Sequence, residues 1–213
     1  MLEHLYIERD LLDLGVVAIL RNVPLEKLTP LAEALKRGGV NDLEVTLNSP
    51  NALEGIRQLS RIPGLNVGAG TVLDEENCSR AIDAGAKFIV CPHTDTRIIT
   101  RARVRGAAPV PGCMTPTEMM TAMNAGAHIL KVFPASTLGP GYIHEVLAPL
   151  NHAKLLAVGG ITVENVGSFI EAGAKGVGVG STLTPKDVIE KEDWQELERR
   201  ARALCQAVQA HRK

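Results

Sequence analysis

Short apolar runs alternate along this chain with longer stretches in which apolar residues recur at helical spacing. The apolar runs are five to eight residues long, and about 10–15 residues of helical pattern separate most of them. They cover 15–21, 42–47, 65–72, 87–92, 108–112, 128–134, 154–160 and 176–181. Pro or Gly closes nearly every run, as expected where a strand stops and a loop begins. The pattern predicts repeated β–α units with parallel strands.

An internal repeat supports these units. At several places the end of an amphipathic helix leads to a glycine and then to a β-rich run: 34–47, 81–92, 122–134, 169–180 and, more weakly, 101–112. The glycines can take the left-handed conformation that ends helices, and they are Gly39, Gly85, Gly106, Gly126 and Gly173. Their spacing corresponds to one or two units of about 20–24 residues.

Eight β–α units in a chain of 213 residues predict a single-domain (β/α)8 TIM barrel over residues 1–213. A doubly wound open sheet is the alternative. A last amphipathic segment, 193–211, predicts a closing helix that packs on the barrel wall.

Composition excludes several classes of protein. Apolar residues make up 45% and charged residues 22%, which indicates a sizeable core and excludes a disordered chain. The net charge of −1 and an aromatic content of 3% argue against nucleic-acid binding. No apolar stretch is long enough to span a membrane, so no membrane partner is expected. Residues 1–15 lack the basic and then apolar regions of a secretion signal.

The cysteines and histidines do not form a recognisable ligand set. Cys78, Cys91, Cys113 and Cys205 lie far apart without a C-x-x-C pair, and the six histidines are scattered. This spacing is typical of reduced, packed thiols in the cytosol. We therefore expect a cytoplasmic protein without a metal site.

Polar residues interrupt the apolar strands near their carboxyl ends. Strand alternation directs Glu44 into the barrel if Leu43, Val45 and Leu47 pack on the helices. The same parity directs Lys131 and Phe133 inward and Leu130 and Val132 outward. Arg21 ends the first strand and Thr71 the third. We expect Arg21, Glu44, Thr71 and Lys131 to converge at the mouth of the barrel.

A lysine inside an apolar strand is costly unless it is paired or neutral. A Lys131–Glu44 ion pair that only fixes strand register is one interpretation. The other is that burial lowers the pKa of Lys131, so that its free amine attacks a carbonyl while Glu44 moves protons. Arg21 could hold a carboxylate or form a surface salt bridge, and Thr71 offers a hydroxyl.

Two glycine clusters follow the last two strands. They are Gly159-Gly160-Ile161-Thr162 and Gly178-Val179-Gly180-Ser181. Barrel enzymes often bind phosphate in the loops after strands seven and eight, where backbone N–H groups face the anion. Glycines also make tight turns, but two clusters at these places favour a phosphate site.

With these residues in view, the sequence resembles the KDPG/KHG aldolases, class I enzymes that split 2-keto-3-deoxy-6-phosphogluconate or related compounds into pyruvate and an aldehyde. The similarity covers nearly the whole chain through GGVNDLEVTL, VGAGTV, FIVCPH, PGCMTPTE, ILKVFPAS, AVGGIT and GVGVGS. It implies a Schiff-base lysine, Lys131, and a general acid/base, Glu44. It also implies that Thr71 binds pyruvate and that the phosphate pocket comprises Gly159, Gly160, Gly180 and Ser181. Such enzymes are cytoplasmic homotrimers that need no metal or other cofactor.

One position departs from the family pattern. Many members carry an arginine four residues after the catalytic glutamate, where this chain has Asn48. The strand that ends in Arg21 resembles the branch in which the first strand supplies this cation, and that branch includes phosphogalactonate aldolases.

The predicted function is therefore cleavage of 2-dehydro-3-deoxy-6-phosphogluconate, and of 4-hydroxy-2-oxoglutarate if the pocket accepts it. Arg21 and Thr71 would orient the carboxylate, while Pro92 and Phe133 would form a dry wall around the imine. Three alternatives stay open: an aldolase for 2-dehydro-3-deoxy-6-phosphogalactonate, a phosphate-binding isomerase or synthase without an imine, and a non-catalytic sugar-phosphate binding protein.

Overall fold

Strands and helices alternate along the chain in the computed structural model, which describes residues 15–212. The strands are β1 (Val16–Leu20), β2 (Asp42–Thr46), β3 (Asn66–Gly70), β4 (Phe88–Val90), β5 (Ala108–Val110), β6 (Gly112–Cys113), β7 (Leu130–Val132), β8 (Leu155–Val158) and β9 (Gly176–Val179). The helices are α1 (Leu25–Arg37), α2 (Ala52–Leu59), α3 (Glu75–Asp83), α4 (Thr96–Val104), α5 (Pro116–Asn124), α6 (Ala135–Leu147), α7 (Val166–Glu171), α8 (Lys186–Glu190) and α9 (Trp194–His211). Most of segment 1–15, for which the sequence predicts no secretion signal, lies outside the described residues.

The strands form one sheet of parallel neighbours in the order β5-β4-β3-β2-β1-β9-β8-β7-β6. Only Pro111 separates β5 from β6, the two ends of this order. Since a single residue separates them, and β5 pairs with β4 while β6 pairs with β7, the two segments are one barrel strand with a break. The sheet therefore curls round on itself, which confirms the predicted (β/α)8 barrel and shows that the open doubly wound sheet is wrong.

Apolar side chains fill two layers, one on each side of the sheet. Leu43, Val45, Leu130 and Val132 belong to the layer between strands and helices, as their parity predicts. The layer inside the barrel contains Val17, Phe88, Val90, Ala108, Val110, Ile129, Leu156 and Val158. This inner layer closes the barrel below the polar residues at the strand ends.

The predicted closing helix is α9. The Asp193 side chain accepts a hydrogen bond of 3.0 Å from the Glu196 N–H, which satisfies a free donor at the start of the helix. The helix buries Leu197, Ala201, Leu204 and Val208 and packs against α1 and α7. No helix of the described chain combines the length and the apolar character that a membrane crossing requires.

Parallel register brings the carboxyl ends of the strands to the same end of the barrel. Glu44 in β2 pairs with Ile19 in β1 and Gly68 in β3. Lys131 in β7 pairs with Gly112 in β6 and Leu156 in β8. The residues that end these strands therefore surround one opening.

Candidate active site

A cleft of about 740 Å³ occupies the carboxyl end of the barrel. It brings together all ten residues that the sequence singles out for a site. They are Arg21, Glu44, Thr71, Pro92, Lys131, Phe133, Gly159, Gly160, Gly180 and Ser181. The carboxyl face of a (β/α)8 barrel is where its enzymes carry their catalytic residues.

Lys131 lies in the middle of the short strand β7, and only 6% of its surface is exposed. Burial lowers the pKa of its ammonium group, and the nearby Arg21 charge acts in the same direction. The charge of Glu44 opposes this shift. The Lys131 Nζ atom lies 4.6 Å from the centre of the Phe133 ring. A partly desolvated amine against an aromatic face has the character of a nucleophile that can form an imine.

Glu44 lies in β2 and is 3% exposed. Burial raises the pKa of this carboxyl group, while the charges of Lys131 and Arg21 lower it to a smaller extent. Among residues 15–212, no direct ion pair within 4.0 Å joins Glu44 to Lys131. The register-fixing ion pair is therefore not formed in this structure. A carboxyl group that holds its proton nearer neutral pH suits proton transfer in both directions.

Gly70 makes room for the Glu44 carboxylate. A Cβ atom at position 70, in the neighbouring strand β3, would overlap the Glu44 side chain. Gly68, two residues earlier on the same strand, makes room for the Phe88 ring in the same way. The two glycines of β3 thus admit one polar and one aromatic side chain into a narrow barrel.

The loops after β1 and β2 are joined at the rim of the cleft. The Asn22 N–H donates to the Ser49 hydroxyl at 2.8 Å, and the Ser49 and Thr46 hydroxyls lie 2.9 Å apart. These contacts keep Arg21 and Asn48 on the same side of the cleft, which both of them line. Arg21 can therefore supply the positive charge that Asn48 lacks.

Thr71 directly follows β3 and has a left-handed backbone, with φ at 55°. This conformation is unfavourable for a β-branched residue. Local strain of this kind is found where the surrounding structure holds a side chain in a functional position. The sequence predicts Thr71 as a cleft residue but contains no signal for this conformation.

The glycine loops follow β8 and β9, and β9 is the neighbour of β1 in the barrel. Gly159 and Gly160 are both left-handed, with φ at 101° and 68°. Among the described residues, the N–H groups of Gly160, Gly180 and Ser181 have no hydrogen-bond acceptor. Free N–H groups on two adjacent loops are suited to an anion.

Several cleft residues escape the sequence analysis, among them Lys27, Thr182 and Thr184. Lys27 extends from α1 and donates to the carbonyls of Ile189 and Glu190, each at 3.2 Å. Since these partners are more than 160 residues away along the chain, no local pattern reveals the contact. Thr182 and Thr184 follow a strand, where threonine is too common for the sequence alone to indicate a site residue.

The four cysteines are free. Burial raises the pKa of Cys91 to about 12 and that of Cys78 and Cys113 to about 11. Within residues 15–212 there is no cluster of three or more His, Cys, Asp or Glu side chains that could hold a metal ion.

Comparison with known proteins shows which family and which relatives the chain is similar to. The family model for KDPG and KHG aldolase matches residues 7–200. The 2-dehydro-3-deoxy-6-phosphogalactonate aldolase of Escherichia coli (strain K12) is 38% identical over 173 residues, which cover 80% of this chain and 84% of the relative. The 2-dehydro-3-deoxy-phosphogluconate aldolase of Pseudomonas aeruginosa is 31% identical over 188 residues, 87% of this chain and 86% of the relative.

A solved structure adds a chemical detail about a similar protein. The KDPG aldolase from Legionella pneumophila, with pyruvate captured as a covalent carbinolamine, superposes with a TM-score of 0.82 and 28% identity. The match covers 89% of this chain and 93% of that one. Because the family model spans most of the sequence and both the Escherichia coli and the Pseudomonas aeruginosa relative exceed 30% identity, the chain belongs to the KDPG and KHG aldolase family of lyases.

Proposed function

We propose that this protein is a class I aldolase that cleaves 2-dehydro-3-deoxy-6-phosphogluconate into pyruvate and glyceraldehyde 3-phosphate. The observation that carries the proposal is the pair of buried groups in one cleft. Burial lowers the pKa of the Lys131 amine and raises the pKa of the Glu44 carboxyl group. Both shifts bring the two groups closer to the protonation states that imine chemistry needs at neutral pH.

The first step is attack of the Lys131 Nζ atom on the C2 ketone of the substrate. The resulting carbinolamine loses water and becomes an iminium ion. The Phe133 ring face, 4.6 Å from Nζ, stabilises the positive charge of the iminium nitrogen. Pro92 and Phe133 also line this part of the cleft and restrict the access of water.

The second step breaks the bond between C3 and C4. Glu44 accepts the proton of the C4 hydroxyl, the C3–C4 electron pair moves toward the iminium nitrogen, and the aldehyde leaves. Glu44 then returns the proton to C3 of the enamine, and water releases pyruvate from Lys131. One carboxyl group can do both tasks because its raised pKa brings the two protonation states closer in energy at neutral pH than they are in an exposed glutamate.

The two ends of the substrate are charged, and the cleft offers a different partner to each. Arg21 and Thr71 bind the C1 carboxylate, with the guanidinium group able to donate two parallel hydrogen bonds. Gly159, Gly160, Gly180 and Ser181 bind the C6 phosphate through loop N–H groups. The shorter 4-hydroxy-2-oxoglutarate lacks the phosphate and is expected to bind more weakly.

The C4 epimer, 2-dehydro-3-deoxy-6-phosphogalactonate, is the second candidate substrate. The relative named for this substrate is 38% identical to the chain, against 31% for the Pseudomonas phosphogluconate enzyme. The placement of Arg21 on the same side of the cleft as Asn48 supports the same branch. Both epimers yield the same two products, so the chemistry above applies to either.

The test is a pyruvate-release assay with each purified epimer, coupled to reduction of pyruvate by NADH. We expect turnover of at least one epimer, and the ratio of the two kcat/KM values assigns the substrate. Absence of pyruvate release from both epimers by the folded protein would contradict the proposal.

We propose in addition that the enzyme is a homotrimer without a cofactor and works in the cytoplasm. The resemblance to the family supports the trimer, and four free cysteines are typical of a reducing compartment. The single domain is proposed to span residues 1–213.

A further inference from the structure

The two glycine loops that form the proposed phosphate pocket come from different β–α units. One loop covers 159–162 after β8, and the other covers 180–184 after β9. Their relative position decides whether N–H groups from both can reach the same anion. The contacts that hold the loops together therefore bear on phosphate affinity.

In the first loop, successive carbonyl groups are already used as acceptors. The Gly159 carbonyl accepts from the Ser136 N–H at 3.0 Å, and the Gly160 carbonyl accepts from the Asn165 side chain at 2.9 Å. The Ile161 carbonyl accepts from the Thr182 hydroxyl at 2.7 Å. These hydrogen bonds hold the first loop in place, and the Gly160 N–H, which has no acceptor among the described residues, can donate to an anion.

Carbonyl groups of the second loop also accept hydrogen bonds that hold the loop in place. The Gly180 carbonyl accepts from the Leu183 and Thr184 N–H groups, each at 2.9 Å. The Thr182 carbonyl accepts from the Arg200 guanidinium group at 3.2 Å. Arg200 in turn is held by Glu196, at 2.8 Å on α9. Thr182 thus connects the loop to the closing helix through its carbonyl and to the other loop through its hydroxyl.

Of the hydrogen bonds formed within residues 15–212, the Thr182–Ile161 bond is the one that joins the two loops directly. We propose that Thr182 is a positioning residue whose hydroxyl sets the spacing of the two loops and so the affinity for the substrate phosphate. This inference rests on the proposed function for the identity of the ligand. It concerns a side chain that does not itself carry out the chemistry.

The test compares Thr182→Val, which keeps the β-branched shape and loses the hydroxyl, with Thr182→Ser, which keeps the hydroxyl. Thr121→Val is the matched control, because the Thr121 hydroxyl also donates to a carbonyl, at 2.8 Å, but at an exposed position of helix α5. Glycerol 3-phosphate is titrated into each variant. In parallel, the pyruvate concentration that gives half-maximal borohydride trapping is measured.

We expect Thr182→Val to weaken glycerol 3-phosphate binding about five- to tenfold, the scale of one hydrogen bond. Thr182→Ser should restore most of the affinity, and Thr121→Val should bind like the parent chain. Half-saturation by pyruvate should stay within about twofold in all of them, because pyruvate has no phosphate. Thr182→Ala gives the same comparison if the valine variant does not fold.

Unchanged affinity for glycerol 3-phosphate in Thr182→Val would overturn the inference, and so would an equal loss of affinity for glycerol 3-phosphate and pyruvate. Failure of the parent chain to bind glycerol 3-phosphate would also overturn it. Failure of the parent chain to trap pyruvate is a different result, which contradicts the proposed aldolase reaction and leaves the binding comparison to decide the role of Thr182.

Discussion

Two titratable side chains of the cleft are buried in this barrel, which makes the fold less stable than a barrel filled with apolar side chains alone. Lys131 and Glu44 are 6% and 3% exposed, and no direct ion pair within 4.0 Å joins them in the described part of the chain. Desolvation without a close partner destabilises the charged forms of both. Apolar residues at both positions would stabilise the fold better, so the presence of these two groups points to chemistry.

Lys131→Met tests this interpretation. We expect complete loss of aldol cleavage, since methionine has no amine to form an imine. We expect a melting temperature equal to or above that of the parent chain, because an apolar side chain of similar length replaces a desolvated cation. Calorimetry and the pyruvate-release assay check both parts. Lys87→Met, at an exposed position, is the control, and residual cleavage by Lys131→Met would exclude Lys131 as the nucleophile.

Glu44→Gln separates imine formation from carbon–carbon cleavage. Glutamine keeps the shape of the side chain but cannot accept a proton, so kcat should fall by about 10²–10⁴. Some borohydride-trapped pyruvate should still form, because Lys131 is intact. Glu54→Gln, on the exposed side of α2, should retain the parent kcat. Full cleavage activity in Glu44→Gln would show that another group moves the proton.

The pH dependence of pyruvate trapping follows from the direction of the Lys131 shift. Burial lowers the pKa of Lys131, so the free amine is already populated at a pH where an exposed lysine stays protonated. The trapping rate should rise with pH through this lowered pKa and then level off. The charge of Glu44 raises the pKa of Lys131, so Glu44→Gln should move the midpoint to still lower pH. A midpoint at the value of an exposed lysine, or one that moves upward in Glu44→Gln, would contradict the assignment.

Strand parity predicts the inward direction of Lys131 and Glu44 because alternation is a local property of the backbone. The left-handed backbone of Thr71 and the contact from Lys27 to the carbonyls of Ile189 and Glu190 are not local in this sense. They depend on neighbours that only the closed barrel supplies, so the sequence could not reveal them.

Among the secondary-structure elements, strand β3 shapes the site through its glycines as much as other strands do through their polar residues. Gly70 ends β3 beside Glu44, where a Cβ atom would overlap the carboxylate. Glycine at this position lowers the stability of the strand, because it has no side chain to pack and loses more backbone entropy on folding. It leaves space for the acid/base group.

Gly70→Ala should therefore displace the Glu44 carboxylate and lower kcat by at least about tenfold, as expected when a catalytic group is misplaced. Trapping of pyruvate on Lys131 should persist. Gly141→Ala is the matched control, because a Cβ atom there meets no atom within 4 Å. Steady-state kinetics of both variants checks the prediction, and equal kcat values would show that the carboxylate does not need this space.

The sequence predicts each strand within a few residues but not the break inside the fifth one. The run 108–112 appears as one apolar segment, whereas the structure divides it at Pro111 into β5 and β6. The break falls where the pairing partner changes, from β4 at Val110 to β7 at Gly112. Its consequence, that the two segments close the sheet, requires knowledge of the pairing partners β4 and β7.

At the scale of the whole molecule, the barrel gathers residues from the first and last strands into one cleft. Arg21 and Ser181 are 160 positions apart in the sequence, yet both line it. The count of β–α units predicts this closure because eight units are what a parallel barrel of this kind requires. The width of the cleft depends on packing that the repeat alone does not determine.

The proposed trimer is a prediction about the whole molecule. Large apolar side chains such as Leu73, Val104 and Met114 are 55%, 80% and 46% exposed in the single chain, and association is a common way to cover such groups. Light scattering after size-exclusion chromatography should give three times the chain mass of 22.8 kDa. The mass of a single chain at micromolar concentration would contradict the trimer.

A covalent bond between Lys131 and pyruvate is the central step of the proposed mechanism. Borohydride reduction in the presence of pyruvate, followed by intact-mass measurement and peptide mapping, tests it on the unmodified protein. We predict a single reduced pyruvyl adduct on the peptide that contains Lys131, and no adduct on Lys131→Met. A folded sample that forms no adduct, or forms it on a different lysine, would contradict the imine mechanism and favour a phosphate-binding isomerase in which Lys131 acts only as a cation.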